Sequence, residues 1–307
     1  MNPPETETQT ASRPGPLLFL KGVAMGIAEV IPGVSGGTIA FITGIYRALI
    51  ESIKSVNLTA LSVFKSGGLK AGWRHINGTF LLILFSGMGV SILTLARVVK
   101  YLLEHHKIFI WSFFFGLIAA SVIFVAGQVR RWKLSAILSI GTGIAAALVI
   151  TGMTPAEAAA TPLYTFFSGC IAICAWVLPG ISGSFILLLL GMYGHIMDAI
   201  KDFSLSTIGV FGAGCCVGIM LFSRLLSWLY EKHKDITLAF LTGFMAGSLP
   251  IVWPWKEIEG NVITRRLLPW AYEQATGNPP LTWTAVIAAA LGLFSVLLLE
   301  RLSGKEE

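Results

Sequence analysis

Six stretches of this chain are apolar for about the 20 residues that a helix needs to cross a hydrocarbon core: Phe80–Val99, Ile108–Val129, Leu134–Thr151, Ile208–Tyr230, Ile236–Trp255 and Trp283–Leu302. Two further apolar regions, residues 17–53 and 162–200, are too long for one crossing, and each is broken in its middle, by EVIPGVSGGT (29–38) and WVLPGISGSF (176–185). The pattern predicts an all-α polytopic membrane protein. The first 16 residues, MNPPETETQTASRPGP, are polar and Pro-rich and read as a disordered tail. The apolar run behind them carries Lys21 and has no cleavage pattern at its end, so a signal peptide is not expected.

The two breaks belong to a duplication. Pairing Pro32-Gly33-Val34-Ser35-Gly36 with Pro179-Gly180-Ile181-Ser182-Gly183 sets an offset of 147, which also pairs Phe19 with Phe166, Gly22 with Gly169, Gly44 with Gly191, Tyr46 with Tyr193 and Lys54 with Lys201. Downstream the first copy has a longer loop and the offset becomes 127. LARVVKYLLEHHK (95–107) then overlays FSRLLSWLYEKHK (222–234), pairing Arg97 with Arg224 and Glu104 with Glu231. The first repeat is read as 17–153, with spans 80–99, 108–129 and 134–151, and the second as 162–302, with spans 208–230, 236–255 and 283–302.

Each arm of a broken region holds about 15 to 18 residues, roughly 22 to 27 Å of helix. A re-entrant hairpin followed by three transmembrane helices fits each half, and an odd number of crossings makes an inverted repeat. With the N-terminus in the cytoplasm, this arrangement puts 12 Lys and Arg inside and 7 outside; treating each broken region as one span gives 8 and 11. The excess of positive charge on the cytoplasmic side favours the hairpins.

Composition narrows the function. Residues are 55% hydrophobic and 12% charged, with a mean hydropathy of +0.77. The net charge of +6 resides mainly in loops, without a basic, aromatic-interleaved stripe, which argues against nucleic acid as partner. Cys170, Cys174, Cys215 and Cys216 lie in apolar helices at no metal-binding spacing; neither a metal nor a cofactor is expected.

Irregular backbone at membrane depth survives only against protein or a watery cavity. At the first break Pro32 ends one arm, while Gly33, Gly36 and Gly37 permit close turns and Ser35 and Thr38 can cap the next helix. At the second, Pro179, Gly180, Ser182, Gly183 and Ser184 repeat the arrangement. Backbone N–H groups at such tips suit a phosphate or carboxylate, and paired hairpins suit a transporter with its site near the midplane. Plain helix kinking is the simpler alternative.

Glu29, whose repeat partner is Trp176, would be costly facing lipid. It is read either as a coupling residue that carries a proton or pairs with a cation, or as a cap on the tip. Arg97 and Arg224 are candidates for phosphate binding, with snorkelling as the competing reading. Arg47, Tyr46, Tyr193 and His195 are weaker candidates near the membrane surface.

KGVAMGIAEVIPGVSGGTIAFITGIYRALIESI (21–53) closely resembles the signature of the DUF368 membrane proteins of bacteria and archaea, and the 176–185 block resembles their later element. The likeness runs from about Leu17 to Leu302. It implies a non-enzymatic flippase that returns undecaprenyl phosphate from the outer to the cytoplasmic leaflet of the bacterial inner membrane, for reuse in cell-wall and surface glycan synthesis. Carried over by position, the implied site holds Glu29, Pro32, Gly33, Ser35, Gly36, Gly37, Thr38, Pro179, Gly180, Ser182 and Gly183. Expected partners are that lipid phosphate, membrane lipids and H⁺ or Na⁺ as coupling ion, with a homodimer left open. A transporter or channel for a small anion is the rival class. A lipid phosphatase is a further rival, although no histidine follows either Ser-Gly.

Overall fold

The computed structural model describes residues 15–31, 34–156, 159–259 and 262–303. The expected tail therefore lies outside the described residues up to position 14, as do Pro32 and Gly33. The chain is an all-α polytopic membrane protein. Its first half runs α1 (Pro16–Val30), α2 (Gly36–Ile42), α3 (Tyr46–Ser55), α4 (Leu58–His75), α5 (Gly78–His105), α6 (Lys107–Gly127) and α7 (Leu134–Gly152). The second runs α8 (Pro162–Val177), α9 (Gly183–Leu189), α10 (Tyr193–Lys201), α11 (Leu205–Lys232) and α12 (Lys234–Ser248), then a 3₁₀ turn to Val252. A hairpin of β1 (Lys256–Glu259) and β2 (Val262–Arg266) follows, with α13 (Pro269–Thr276) and α14 (Thr282–Ser303). The helices long and apolar enough to cross a membrane are α5, α6, α7, α11, α12 with its turn, and α14, matching the six stretches read from the sequence.

Two features of the broken regions differ from the expectation of two plain arms. The leaving arm is itself two helices, with α9 and α10 bent by 112°. The cause is a helix-ending glycine in the left-handed conformation, at φ 73° for Gly44 and 67° for Gly191. Gly44 N–H donates to the Phe41 carbonyl and Ile45 N–H to that of Ala40; Gly191 and Met192 donate likewise to Leu188 and Leu187. This is the Schellman arrangement, with an apolar residue after the glycine. The loop after the first hairpin is also helical, as α4, capped where Asn57 Oδ1 accepts from Ala60 N–H at 3.0 Å.

Helix pairing is tight where glycines remove side chains from the seam. A Cβ on Gly22 would sit 2.2 Å from the Leu84 carbonyl oxygen and one on Gly87 would sit 2.3 Å from that of Phe19, so α1 and α5 meet backbone to backbone. In α8 and α11 the same contacts recur at the repeat offsets, Gly169 on Phe211 at 2.4 Å and Gly214 on Phe166 at 2.0 Å. Both pairs run parallel: Gly22 meets Leu84 and Gly26 meets Met88, while Phe166 meets Gly214 and Cys170 meets Gly218. At the far end of the first broken region, Asn77 Nδ2, beside the start of α5, donates to Ser52 Oγ of α3 at 3.0 Å. The first region thus begins and ends at the end of the bundle where α5 starts. In the second, α8 starts alongside the start of α11, and three residues join α10 to that same start. The remaining long helices pair as α6 with α14 and α7 with α12, again over glycines: Gly116 on Ala289, Gly292 on Phe113, Gly243 on Ile140 and Gly143 on Phe240.

Candidate functional site

The two breaks meet. Ser35 caps α2, accepting from Gly37 N–H at 3.0 Å, and its hydroxyl lies 3.0 Å from the Leu178 carbonyl and 3.3 Å from that of Trp176. Across the junction Gly180 N–H donates to Thr38 Oγ1 at 3.0 Å. Ser182 caps α9, accepting from Phe185 N–H at 3.2 Å, and stands 3.1 Å from Ser184 Oγ. Ser35, Thr38 and Ser182 are fully buried, as are Gly36, Gly37, Pro179, Gly180 and Gly183, whereas Ser184 is half-buried. A Cβ on Gly37 would lie 2.6 Å from the Val177 carbonyl oxygen of the other break, so the two chains approach too closely for any side chain there. Gly180, at φ 104°, fits against Met245 and Ser248 of α12.

Glu29 belongs to this junction. Its Oε1 accepts from Gly36 N–H, 2.6 Å away, at the first turn of α2, so the carboxylate sits where the sequence placed an anion. The duplicated contact shows what the change to Trp176 does. Gly36 packs on Met25 and Glu29, and Gly183 packs at the equivalent place on Ala172 and Trp176. The second copy has no carboxylate there, and the Trp176 ring stacks on Phe85 instead, with centroids 6.2 Å apart.

The other candidates stand apart from the junction. Arg97 is exposed on α5, and Arg224 is exposed on α11, where it donates to the Met220 carbonyl of its own helix at 3.3 Å. Among the described residues no hydrogen bond or ion pair joins either arginine to the breaks. Arg47 is exposed, Tyr193 is exposed and His195 is half-buried. Tyr46 is buried against Phe41 and Tyr230, and its hydroxyl has no partner among the described residues. A groove of about 450 Å³, lined by Ala120, Ile123, Phe124, Leu293, Val296 and Leu297, lies between α6 and α14 rather than at the breaks.

Residues that sequence reasoning passed over join α3 to α11. Lys54 Nζ donates to Ser227 Oγ at 2.7 Å and lies 3.6 Å from Glu231 and 3.7 Å from Glu51; Ser227 Oγ in turn donates to Glu51 at 2.7 Å. Opposite charges on two apolar segments were the available signal, but nothing in the one-dimensional pattern joined residue 54 to residue 231. In the 256–282 loop, Lys256 is buried over the Trp111 ring, 3.1 Å from its centroid, and donates to the Ile251 carbonyl. Burial, and secondarily Arg266, holds its ammonium well below the ordinary lysine range.

A family model described as undecaprenyl phosphate translocase-like matches residues 25–266. A Vibrio cholerae protein named polyprenyl-phosphate transporter is 46% identical over 297 residues, covering 94% of this chain and 96% of its own. A Staphylococcus aureus protein of the same name is 34% identical over 255 residues, covering 77% of this chain and 85% of its own. No solved structure matches the chain.

Proposed function

The chain belongs to the undecaprenyl phosphate translocase-like family, and we propose that it carries polyprenyl phosphate across a membrane. The observation that carries this reading is the buried junction of two glycine- and serine-rich breaks inside an otherwise apolar bundle. A lipid phosphate can leave its tail in the bilayer, but its headgroup must exchange water for fixed donors on the way across. At the junction, amide hydrogens now held by Glu29, Ser35 and Thr38 change partner from a protein oxygen to a phosphate oxygen as the breaks part. Glu29 vacates the Gly36 N–H by taking up a proton or pairing with a cation, which is the route for coupling to H⁺ or Na⁺.

The two halves act as inverted copies in this proposal. Support comes from the parallel α1–α5 and α8–α11 pairs and from the return of each broken region to the end where it began. The cytoplasmic end is the one at which α5 starts, and transport runs from the outer to the cytoplasmic leaflet of the bacterial inner membrane. Arg97 and Arg224, exposed away from the junction, act as first contacts for the headgroup.

The test is leaflet-resolved accessibility of undecaprenyl phosphate in proteoliposomes, comparing the wild type with Ser35→Ala, Arg97→Ala and Arg224→Ala. Equal rates with and without protein end the proposal. Flux of a small soluble anion without need for a prenyl tail would instead favour an anion transporter, and release of inorganic phosphate would favour an enzyme.

A further inference from the structure

The duplicated halves are not in the same arrangement, and the difference falls on one set of charges. In the first half α3 packs against α11: Tyr46 is 3% exposed beside Tyr230, and Lys54, Glu51, Ser227 and Glu231 form the network described above. Applying the repeat offsets to that contact gives α10 against α5, with Tyr193, Asp198 and Lys201 facing Lys100 and Glu104. That contact is not among the substantial helix packings of the described residues, where α10 lies on α9 and α11. Tyr193 is 40% exposed. The four charges instead pair within their own helices, Lys201 with Asp198 at 3.4 Å and Lys100 with Glu104 at 3.8 Å.

We propose that Asp198, Lys201, Lys100 and Glu104 form a second gate, which closes by exchanging these intrahelical pairs for Lys201–Glu104 and Asp198–Lys100 while the Lys54–Glu231 contact opens. The inference rests on the reading of the chain as a transporter with inverted halves. Duplication gives each half the same two packings, and an alternating carrier holds one half in each at a time. The substitution that accompanies the exchange is consistent with it. Ser227, which bridges Lys54 and Glu51, is replaced at the equivalent place by Lys100, so the second gate has two cations for two carboxylates and all four charges find an opposite partner. The intrahelical pairs are exposed and worth little, so exchanging them does not impose a large barrier. In the present arrangement the first gate is shut and the second is open.

Cysteine pairs at exposed or half-buried positions test this in the full chain, after replacement of Cys170, Cys174, Cys215 and Cys216 by alanine. A lysine and a glutamate in ion contact commonly stand too far apart at Cα for a direct disulfide, so a short bifunctional methanethiosulfonate is the reagent. We expect Glu104→Cys/Lys201→Cys and Lys54→Cys/Glu231→Cys each to link in a fraction of molecules, and prior linking of one pair to lower linking of the other at least fivefold. Separately, Lys201→Glu should slow transport and Glu104→Lys in the same chain should restore it. Absence of the 104–201 link in protein that still moves lipid, or both links forming in one molecule, overturns the gate and leaves the transport reading intact. Mutually exclusive links, with protein that keeps all four charges yet moves no polyprenyl phosphate, overturn the transport reading and leave the gate.

Discussion

Thr38 of the first break accepts a hydrogen bond from the Gly180 amide of the second, 142 positions away in the chain, at 3.0 Å. The bond is buried and joins the two repeats at their irregular segments. Replacing Thr38 with valine keeps the shape and leaves that N–H unpaired, which costs about 1–3 kcal/mol. Thr38→Val should therefore lower the melting temperature in detergent and speed amide exchange at Gly180, and Thr38→Ser should do neither.

Filling the junction should also be costly. A Cβ at Gly37 meets the Val177 carbonyl oxygen at 2.6 Å, so Gly37→Ala pushes the breaks apart at a cost of about 1–3 kcal/mol. Gly89→Ala, in α5 with nothing within 4 Å of the new atom, is the matched control and should be neutral or stabilising by up to about 1 kcal/mol. Proteoliposome transport should fall at least tenfold for the first and hold for the second.

Glu29→Gln retains an oxygen for the Gly36 amide while removing the titrating group, whereas Glu29→Ala removes both. The glutamine variant should fold like the wild type and lose the pH dependence of transport; the alanine variant should also lose about 0.5–2 kcal/mol of stability, as for a lost cap. A glutamine variant whose rate and pH profile match the wild type would show that the proton on Glu29 has no part in coupling.

These three positions also show what could be read from the sequence. The paired breaks, the six crossings and the Gly22–Gly169 pairing were legible because each is local or repeats at a fixed offset, whereas the seams that these glycines form with Gly87 and Gly214 show only in the packing. The elbows at Gly44 and Gly191 were visible as a pair, but both lie in continuous apolar runs without a proline, and only the hydrogen bonds to Ala40 and Leu187 show that the helix ends there. Glu29 was read both as a cap and as a coupling group, and a one-dimensional pattern could not say which N–H it reaches. The recurrence of Arg97 and Arg224 in the repeat reads as phosphate binding, with snorkelling as the competing reading; both are exposed, and a one-dimensional pattern does not say how far they stand from the breaks.

Lys256 gives a pH test outside the membrane. Its folded pKa lies below the unfolded value of about 10.4, so in the window between them the unfolded chain binds more protons and stability rises with pH. This contribution is lost as pH falls through the folded value. Amide protection factors in the β1–β2 hairpin, corrected for the base-catalysed rate of the unfolded chain, are expected to rise from neutral to alkaline pH in the wild type and to stay flat in Lys256→Met. A wild-type response as flat as the variant's would mean that the ammonium is not held down.

The glycine seams have a mechanical consequence. Where α1 lies on α5, and α8 on α11, main chain touches main chain, and no rotamers are available to let one helix slide or roll past the other. Each pair should behave as a stiff paddle, with compliance concentrated at the elbows of Gly44 and Gly191, about which α3 and α10 can swing. A bulky residue in a seam would then warp a paddle, whereas a residue that stiffens an elbow would leave both paddles whole and stop the stroke.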